Sequence, residues 1–381
     1  MKIIYIVNTR MPTEKAHGYQ IVKVCQGLAA LGHKVELWVP KRLNFISQNI
    51  FDYYKIENNF KINYLGGVDF FRFEKVIGSQ LAFLGQSLFF SLAVLIKRPQ
   101  AEIIYTRNPE VVWVLKKQSK VVFSAHNFPS SKVKRLLQKI FLRFGAGIVA
   151  NSRGTKTAYA EYGFNNLIVA PNGVDLEDFC LKETNDKVID SLNLPANKLV
   201  VMYVGHLYKW KGVETIIETA KKINDDKFIF VIVGGTKEDV KKYKTIIKAE
   251  GIGNVILTGD RPHDLIPQYL QLADVLLLPN VATSNESINF TSPIKMFEYM
   301  AAGKPIIASK LPSIGEILNN YNATLVTPGD SGDLVKELLN FKQNPLTFKE
   351  KAEVAKKDVL VYTWDNHVRK LTTFFDNICA E

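Results

Sequence analysis

Ser292–Ser309 reads SPIKMFEYMAAGKPIIAS. Ser292 is a good N-cap, and Pro293 suits the first helical position. Ile294, Phe297, Met300 and Ala301 recur at the spacing of a buried helical stripe. Gly303 supplies a left-handed stop, and Pro305 prevents continuation. A buried strand follows at Ile306–Ala308. The first-turn N–H groups have no partner inside such a helix, so they can bind phosphate oxygens. Glu298, on the second turn, suits sugar hydroxyls of the same ligand. A plain capped helix with a solvated Glu298 fits the segment equally well, so its surroundings decide.

Outward from this segment the chain alternates strand and helix. The opening reads strand (Ile3–Val7), helix (Gln20–Leu31), a Gly32-His33 stop and strand (Val35–Val39). Ile103–Tyr105, Val121–Ser124, Gly147–Ala150 and Leu167–Ala170 are further strands. After Pro171-Asn172-Gly173 the pattern restarts, with strands at Leu199–Val204, Phe228–Val233, Val255–Leu257, Val275–Leu278 and Thr324–Val326. A helix is expected at Val213–Ile223. Repeated βα units predict parallel sheets, here two doubly wound α/β domains joined near Ala170–Val174. A chain of 381 residues also exceeds the usual size of a single core.

The charge is unevenly spread. Residues 1–170 hold 24 Lys and Arg against 9 Asp and Glu, a balance of +15, whereas residues 171–381 hold 25 against 28, a balance of −3. A basic first half implies an anionic partner. No nucleic-acid motif with interleaved aromatics is present, so a phosphate-bearing acceptor or an anionic membrane surface fits better. Lys132–Arg143, KVKRLLQKIFLR, is a basic amphipathic helix that suits either a membrane or its own sheet. Val76–Ile96 lacks charge over a bilayer-crossing length, but Gly78, Gln80, Gly85, Gln86 and several serines weaken a spanning reading. One or two buried helices are expected there. The three cysteines are scattered and the first residues run straight into a strand, both suiting a cytoplasmic protein.

Ligands of α/β folds bind at the carboxyl ends of strands. Candidates there are Gly205 and His206 after one strand, with Lys211 before the next helix. A lysine in that loop is a compact charge for a diphosphate, although a solvated lysine fits the pattern too. Gly18 lies in the first loop where backbone can approach a ligand. His126, after Ser124-Ala125, would point into the same kind of crevice. The scattered histidines show no metal cluster, and no GxGxxG, nucleophile elbow or paired carboxylates appear.

Taken in order, these pieces resemble glycosyltransferase family 4, of GT-B fold. The resemblance rests on SAHN (Ser124–Asn127), APNGVD (Ala170–Asp175), VGHLYKWKG (Val204–Gly212) and ADVLLLPN (Ala273–Asn280). SPIKMFEYMAAGKPIIAS, GEIL (Gly315–Leu318) and TPGD (Thr327–Asp330) complete it. It implies two Rossmann-like domains facing each other across a cleft. The acceptor-side domain would be 1–170, joined by a crossover helix at about 363–381, and the donor domain 171–362. It further implies donor binding by Gly18, Gly205, His206, Lys211, Thr291, Ser292 and Glu298, with Arg261 in the loop that cradles the base. His126, Lys211 and Glu298 would serve catalysis, and neither metal nor cofactor would be needed. Two positions depart from the family. Phe290 stands where a Glu is usual, eight residues before Glu298, and His206 where Arg is frequent.

The expected activity is retaining transfer of a sugar from a nucleoside diphosphate to a lipid-linked or growing surface-glycan acceptor, at the inner face of the cell membrane. A GT-B sugar-nucleotide epimerase and a non-catalytic sugar-nucleotide-binding subunit remain rivals.

Overall fold

Strands buried on both faces become near-continuous apolar runs, and they need a helical layer on each side. Leu199–Val204, LVVMYV, shows how that works. Val200, Met202 and Val204 enter one core with Leu276, Leu278 and Met296, while Val201 and Tyr203 enter the opposite core with Val213, Ile217, Leu277 and Leu334. The computed structural model describes residues 1–180, 192–195 and 197–381. It contains two compact units, Met1–Asn172 with Trp364–Glu381, and Gly173–Thr363.

The first unit holds a seven-stranded sheet. Its strands are β1 (Lys2–Ile6), β2 (Lys34–Pro40), β3 (Lys61–Leu65), β4 (Ile103–Thr106), β5 (Lys120–Ala125), β6 (Gly147–Ala150) and β7 (Leu167–Val169). Their spatial order is β3-β2-β1-β4-β5-β6-β7, all parallel. On one face Ile4, Ile6, Ile104 and Phe123 pack under Phe90, Val94, Val112 and Leu142. On the other, the Trp364–Ala380 helix packs against the Ala16–Ala30 helix and sets Phe375 5.5 Å from Tyr105, ring to ring.

The second unit holds β8 (Leu199–Val204), β9 (Phe228–Val233), β10 (Val255–Gly259), β11 (Val275–Leu278), β12 (Ile306–Ser309) and β13 (Thr324–Val326). They lie parallel in the order β10-β9-β8-β11-β12-β13. In both sheets the chain winds outward one way and then returns to wind the other. The reversal falls between β1 and β4 in the first sheet and between β8 and β11 in the second, where ligands of such folds bind.

Three expectations need correction. The edge strand β3, KINYL, lies outside every strand anticipated, because its alternating polar residues lack a continuous apolar run. The first helix begins at Ala16 rather than Gln20, so Gly18 lies inside its first turn. The apolar stretch 76–96 is not buried. Most of it forms one helix, Ser79–Lys97, which buries only the stripe Ala82, Gln86, Phe90, Ser91 and Val94. Composition measures how apolar a helix is, whereas its partners decide how much of it is covered.

Candidate anion-binding site in the second unit

The site lies at the carboxyl ends of β8 and β11 and uses three chain segments. The first is the turn after β8. Gly205 there has φ +137, a conformation that L side chains avoid, and a Cβ on it would lie 3.5 Å from Lys295 Nζ. The Tyr203 hydroxyl donates to the His206 carbonyl at 2.7 Å, and the His206 ring stacks on Tyr208. A 3₁₀ turn, Lys209–Lys211, then delivers Lys211, whose ammonium rests 3.7 Å from the centre of the Trp210 ring. The second segment follows β11. Val281 N–H donates to Trp210 O at 3.0 Å, which closes the first segment onto the second. Asn280, fully buried, has neither side-chain amide atom hydrogen-bonded.

The third segment is the Ile294–Ala301 helix. Its N-cap is Pro293, not Ser292, and no side chain caps it. Thr291 and Ser292 precede it and are buried. Tyr299 ties the helix to the sheet by accepting the Val204 N–H at 2.8 Å. One turn earlier on the same face lies Lys295, 8% exposed. Its ammonium makes no hydrogen bond and sits 3.7 Å from the Tyr203 ring centre. Residues 295–301 are all buried, so the helix is enclosed on every side and not only along the stripe expected.

Burial governs both lysines, and like charge adds to it at Lys295. Burial pushes the Lys211 ammonium down to about 7, against the pull of Glu286. Lys295 is driven well below the usual lysine range by burial and then by Lys211, with Glu298 opposing. Two neighbouring lysines whose ammonium forms burial disfavours, one of them without a hydrogen bond, form a place for an anion.

Glu298 is buried, and its Oε1 lies 2.8 Å from His263 Nε2. Glu298 is therefore not the solvated carboxylate of a plain capped helix: one of its oxygens is engaged within the protein. Burial lowers His263, but Glu298, with Asp178 and Asp175, outweighs it and raises the imidazole overall. Arg261 is tied by its Nε to the Tyr269 hydroxyl at 2.9 Å. Phe290 is buried in the short π-turn Glu286–Phe290.

Two expected residues belong to the first unit. Gly18 leaves no open space for a ligand at its α-carbon, since a Cβ there would fall 2.1 Å from the Tyr54 hydroxyl and 2.5 Å from Thr13. The need for glycine is thus a packing need. His126, just beyond β5, has Nε2 3.0 Å from Ser124 Oγ, which in turn accepts from the Tyr105 hydroxyl. Burial, then Arg107, His367 and His17, hold this imidazole well below its normal range, so it is neutral at pH 7.

Lys295, His263 and Asn280 are the residues that sequence reasoning missed. Lys295 had a usable signal, lying three residues before Glu298 and so on the same helical face. Among the described residues no group of three His, Cys, Asp or Glu could hold a metal ion.

Lys211, Lys295 and the uncapped start of the Ile294–Ala301 helix thus stand at the switch point of the second of two Rossmann-like units, where such folds take their ligands. Two family models match, Glycosyltransferase Family 4 over residues 18–178 and Glycosyl transferases group 1 over residues 184–358. The chain belongs to the group 1 glycosyltransferases.

Among relatives, it is 28% identical over 160 residues to the putative teichuronic acid biosynthesis glycosyltransferase TuaH of Bacillus subtilis, covering 42% of this chain and 38% of TuaH. It is 24% identical over 238 residues to the lipopolysaccharide 1,2-N-acetylglucosaminetransferase of Salmonella typhimurium, covering 58% of this chain and 59% of the relative. The chain thus spans about half the length of the curated relatives it matches. The structure of HepE from Anabaena in complex with UDP superposes with TM-score 0.77 at 18% identity, over 99% of this chain and 100% of HepE. The fold is accordingly GT-B.

Proposed function

We propose that this protein transfers a sugar from a nucleoside-diphosphate sugar to a hydroxyl of a lipid-linked or growing surface glycan, with retention of anomeric configuration. The observation that carries this reading is the buried Lys295 ammonium, without a hydrogen bond, beside Lys211 at the uncapped start of the Ile294–Ala301 helix. The relatives named for teichuronic acid and lipopolysaccharide synthesis support the acceptor class, and HepE, which holds UDP and UDP-glucose, supports the donor class.

In this reaction the bond between the anomeric carbon and the diphosphate oxygen breaks, and its electron pair leaves with the diphosphate. The sugar becomes oxocarbenium-like as the acceptor oxygen bonds to carbon. The acceptor proton goes to a phosphate oxygen of the leaving group. Lys211, Lys295 and the first-turn N–H groups stabilise the charge on the departing diphosphate, and such preorganised donors gain strength in a buried site. His263 holds one oxygen of Glu298, and the other accepts from donor hydroxyls.

The reading is tested by incubating the protein with a panel of nucleotide sugars and a lipid-linked glycan acceptor. Release of nucleoside diphosphate together with an elongated acceptor, its new linkage shown by NMR to keep the donor's configuration, is the expected result. Epimerised donor without transfer, or no binding of any nucleotide sugar, would overturn it.

A pH dependence follows from the cationic pair. Lys211 loses its proton near pH 7 in the free protein, whereas a bound diphosphate favours the ammonium and raises the pKa again. Binding above about pH 7 therefore takes up a proton, and UDP affinity should fall as pH rises beyond that point. Calorimetric titration in two buffers of different ionisation enthalpy measures the uptake. Affinity that stays flat or rises with alkaline pH would count against a lysine-bound diphosphate.

A further inference from the structure

In the first unit the helices Ser79–Lys97, Pro109–Val114 and Lys132–Leu142 cover one face of the sheet. The middle helix packs against both of the others. Their inner sides are ordinary core. Their outer sides are not an ordinary surface. Between Lys75 and Lys97 the chain carries no charged residue, and Leu81, Phe83, Leu84, Leu88, Leu92 and Ile96 are exposed, from 50% to 70%. On the Lys132–Leu142 helix, Val133, Leu136, Leu137 and Ile140 are exposed as well, and only Leu142 is buried. Thus, Leu142 apart, the apolar stripe of this helix does not pack on its own sheet. A soluble monomer seldom leaves so large an apolar area open to water.

The charges around this area set its partner. Arg72 and Lys75 lie before one end of the long helix, and Lys97 and Arg98 end it. Lys132, Lys134, Arg135, Lys139 and Arg143 flank the second stripe. Glu74 is the acidic exception on that rim. Trp113, on the middle helix, is 43% exposed, with the Lys116 ammonium 5.3 Å from its ring centre. Exposed apolar side chains bordered by basic residues and tryptophan match the interfacial zone of an anionic bilayer. A second copy docking face to face would set basic rim against basic rim, which disfavours that occupant.

We propose that the outer face of the Ser79–Lys97 and Lys132–Leu142 helices docks on an anionic phospholipid bilayer, lying in its interface. The long helix meets the length and composition of a membrane-spanning segment. However, its Ala82, Gln86, Phe90 and Val94 stripe is buried, and the strands on either side of it, β3 and β4, lie in one parallel sheet. A spanning helix would break that unit apart. An in-plane helix keeps the stripe on the sheet and gives its other side to lipid. The docking stands whether or not the second unit transfers sugar.

Flotation of the full chain with phosphatidylcholine vesicles, with and without phosphatidylglycerol, tests it. The protein should float with the anionic vesicles and be released by salt. Leu88→Glu with Leu92→Glu, and separately Lys134→Glu with Lys139→Glu, should each weaken binding about tenfold or more with the thermal melt unchanged. In the wild type, brominated phosphatidylglycerol should quench tryptophan fluorescence, a readout that needs no substitution. Failure to float with either vesicle, or variants that float as the wild type does, would overturn the proposal. So would a wild-type dimer that Leu88→Glu dissociates and that ignores vesicles, since the face would then belong to a second copy.

Discussion

Lys295→Met should lower kcat about a hundred- to a thousandfold and at the same time stabilise the free protein by about 1 kcal/mol. The two effects have opposite signs for one reason. Lys295 is buried, its ammonium has no hydrogen bond, and Lys211 lies close enough to repel it. In the empty protein this is a cost, since a buried polar group without a partner is worth less than the methyl that would replace it. In the transition state the same group meets the negative charge gathering on the diphosphate. Methionine keeps the stem's packing volume and removes only the charge, so the variant separates the two effects. Paired measurements of single-turnover rate and thermal unfolding decide it. A variant that turns over normally, or one that melts well below the wild type, would remove Lys295 from the diphosphate site.

Gly212→Ala should cost about 3 kcal/mol or more of the second unit's stability and abolish UDP binding. Gly212 has φ +78, which an alanine adopts only with strain, and its Cβ would fall 1.8 Å from the Pro279 carbonyl oxygen. That oxygen belongs to the backbone and cannot swing aside, so the turn carrying Lys211 must part from the segment after β11. Gly32→Ala is the control. Its φ is similar, +85, but nothing lies within 4 Å of the new Cβ. It should cost about 1 kcal/mol, the backbone strain alone. Chemical denaturation of both variants checks the contrast. Equal losses at the two sites would show that the close approach at Pro279 contributes nothing.

The sequence made most of this architecture legible, because each unit repeats one local rule. Leu199–Val204 and Phe228–Val233 are uninterrupted apolar runs, and only a strand covered on both faces uses such a run economically. The Ile294–Ala301 helix announced itself by its flanking prolines and Gly303. The parts that failed to show share a different property. β3 is an edge strand whose alternation hides it. Lys295 shares a helical face with Glu298, but no local window tells that this face is buried. His263 and Glu298 stand 35 residues apart, and nothing short of the fold announces that they share a 2.8 Å contact.

Periodicity along the chain thus determined the fold class, the two βα series and the existence of the Ile294–Ala301 helix, since backbone geometry converts residue spacing directly into faces and ends. Tertiary packing alone decided which faces are covered. It enclosed the Ile294–Ala301 helix on all sides and so turned Lys295 from a surface lysine into a buried one whose charged form is disfavoured. It left the Ser79–Lys97 helix half uncovered, where composition had suggested a core. Burial is a property of neighbours distant in sequence, and it sets both the charge of a lysine and the fate of a leucine.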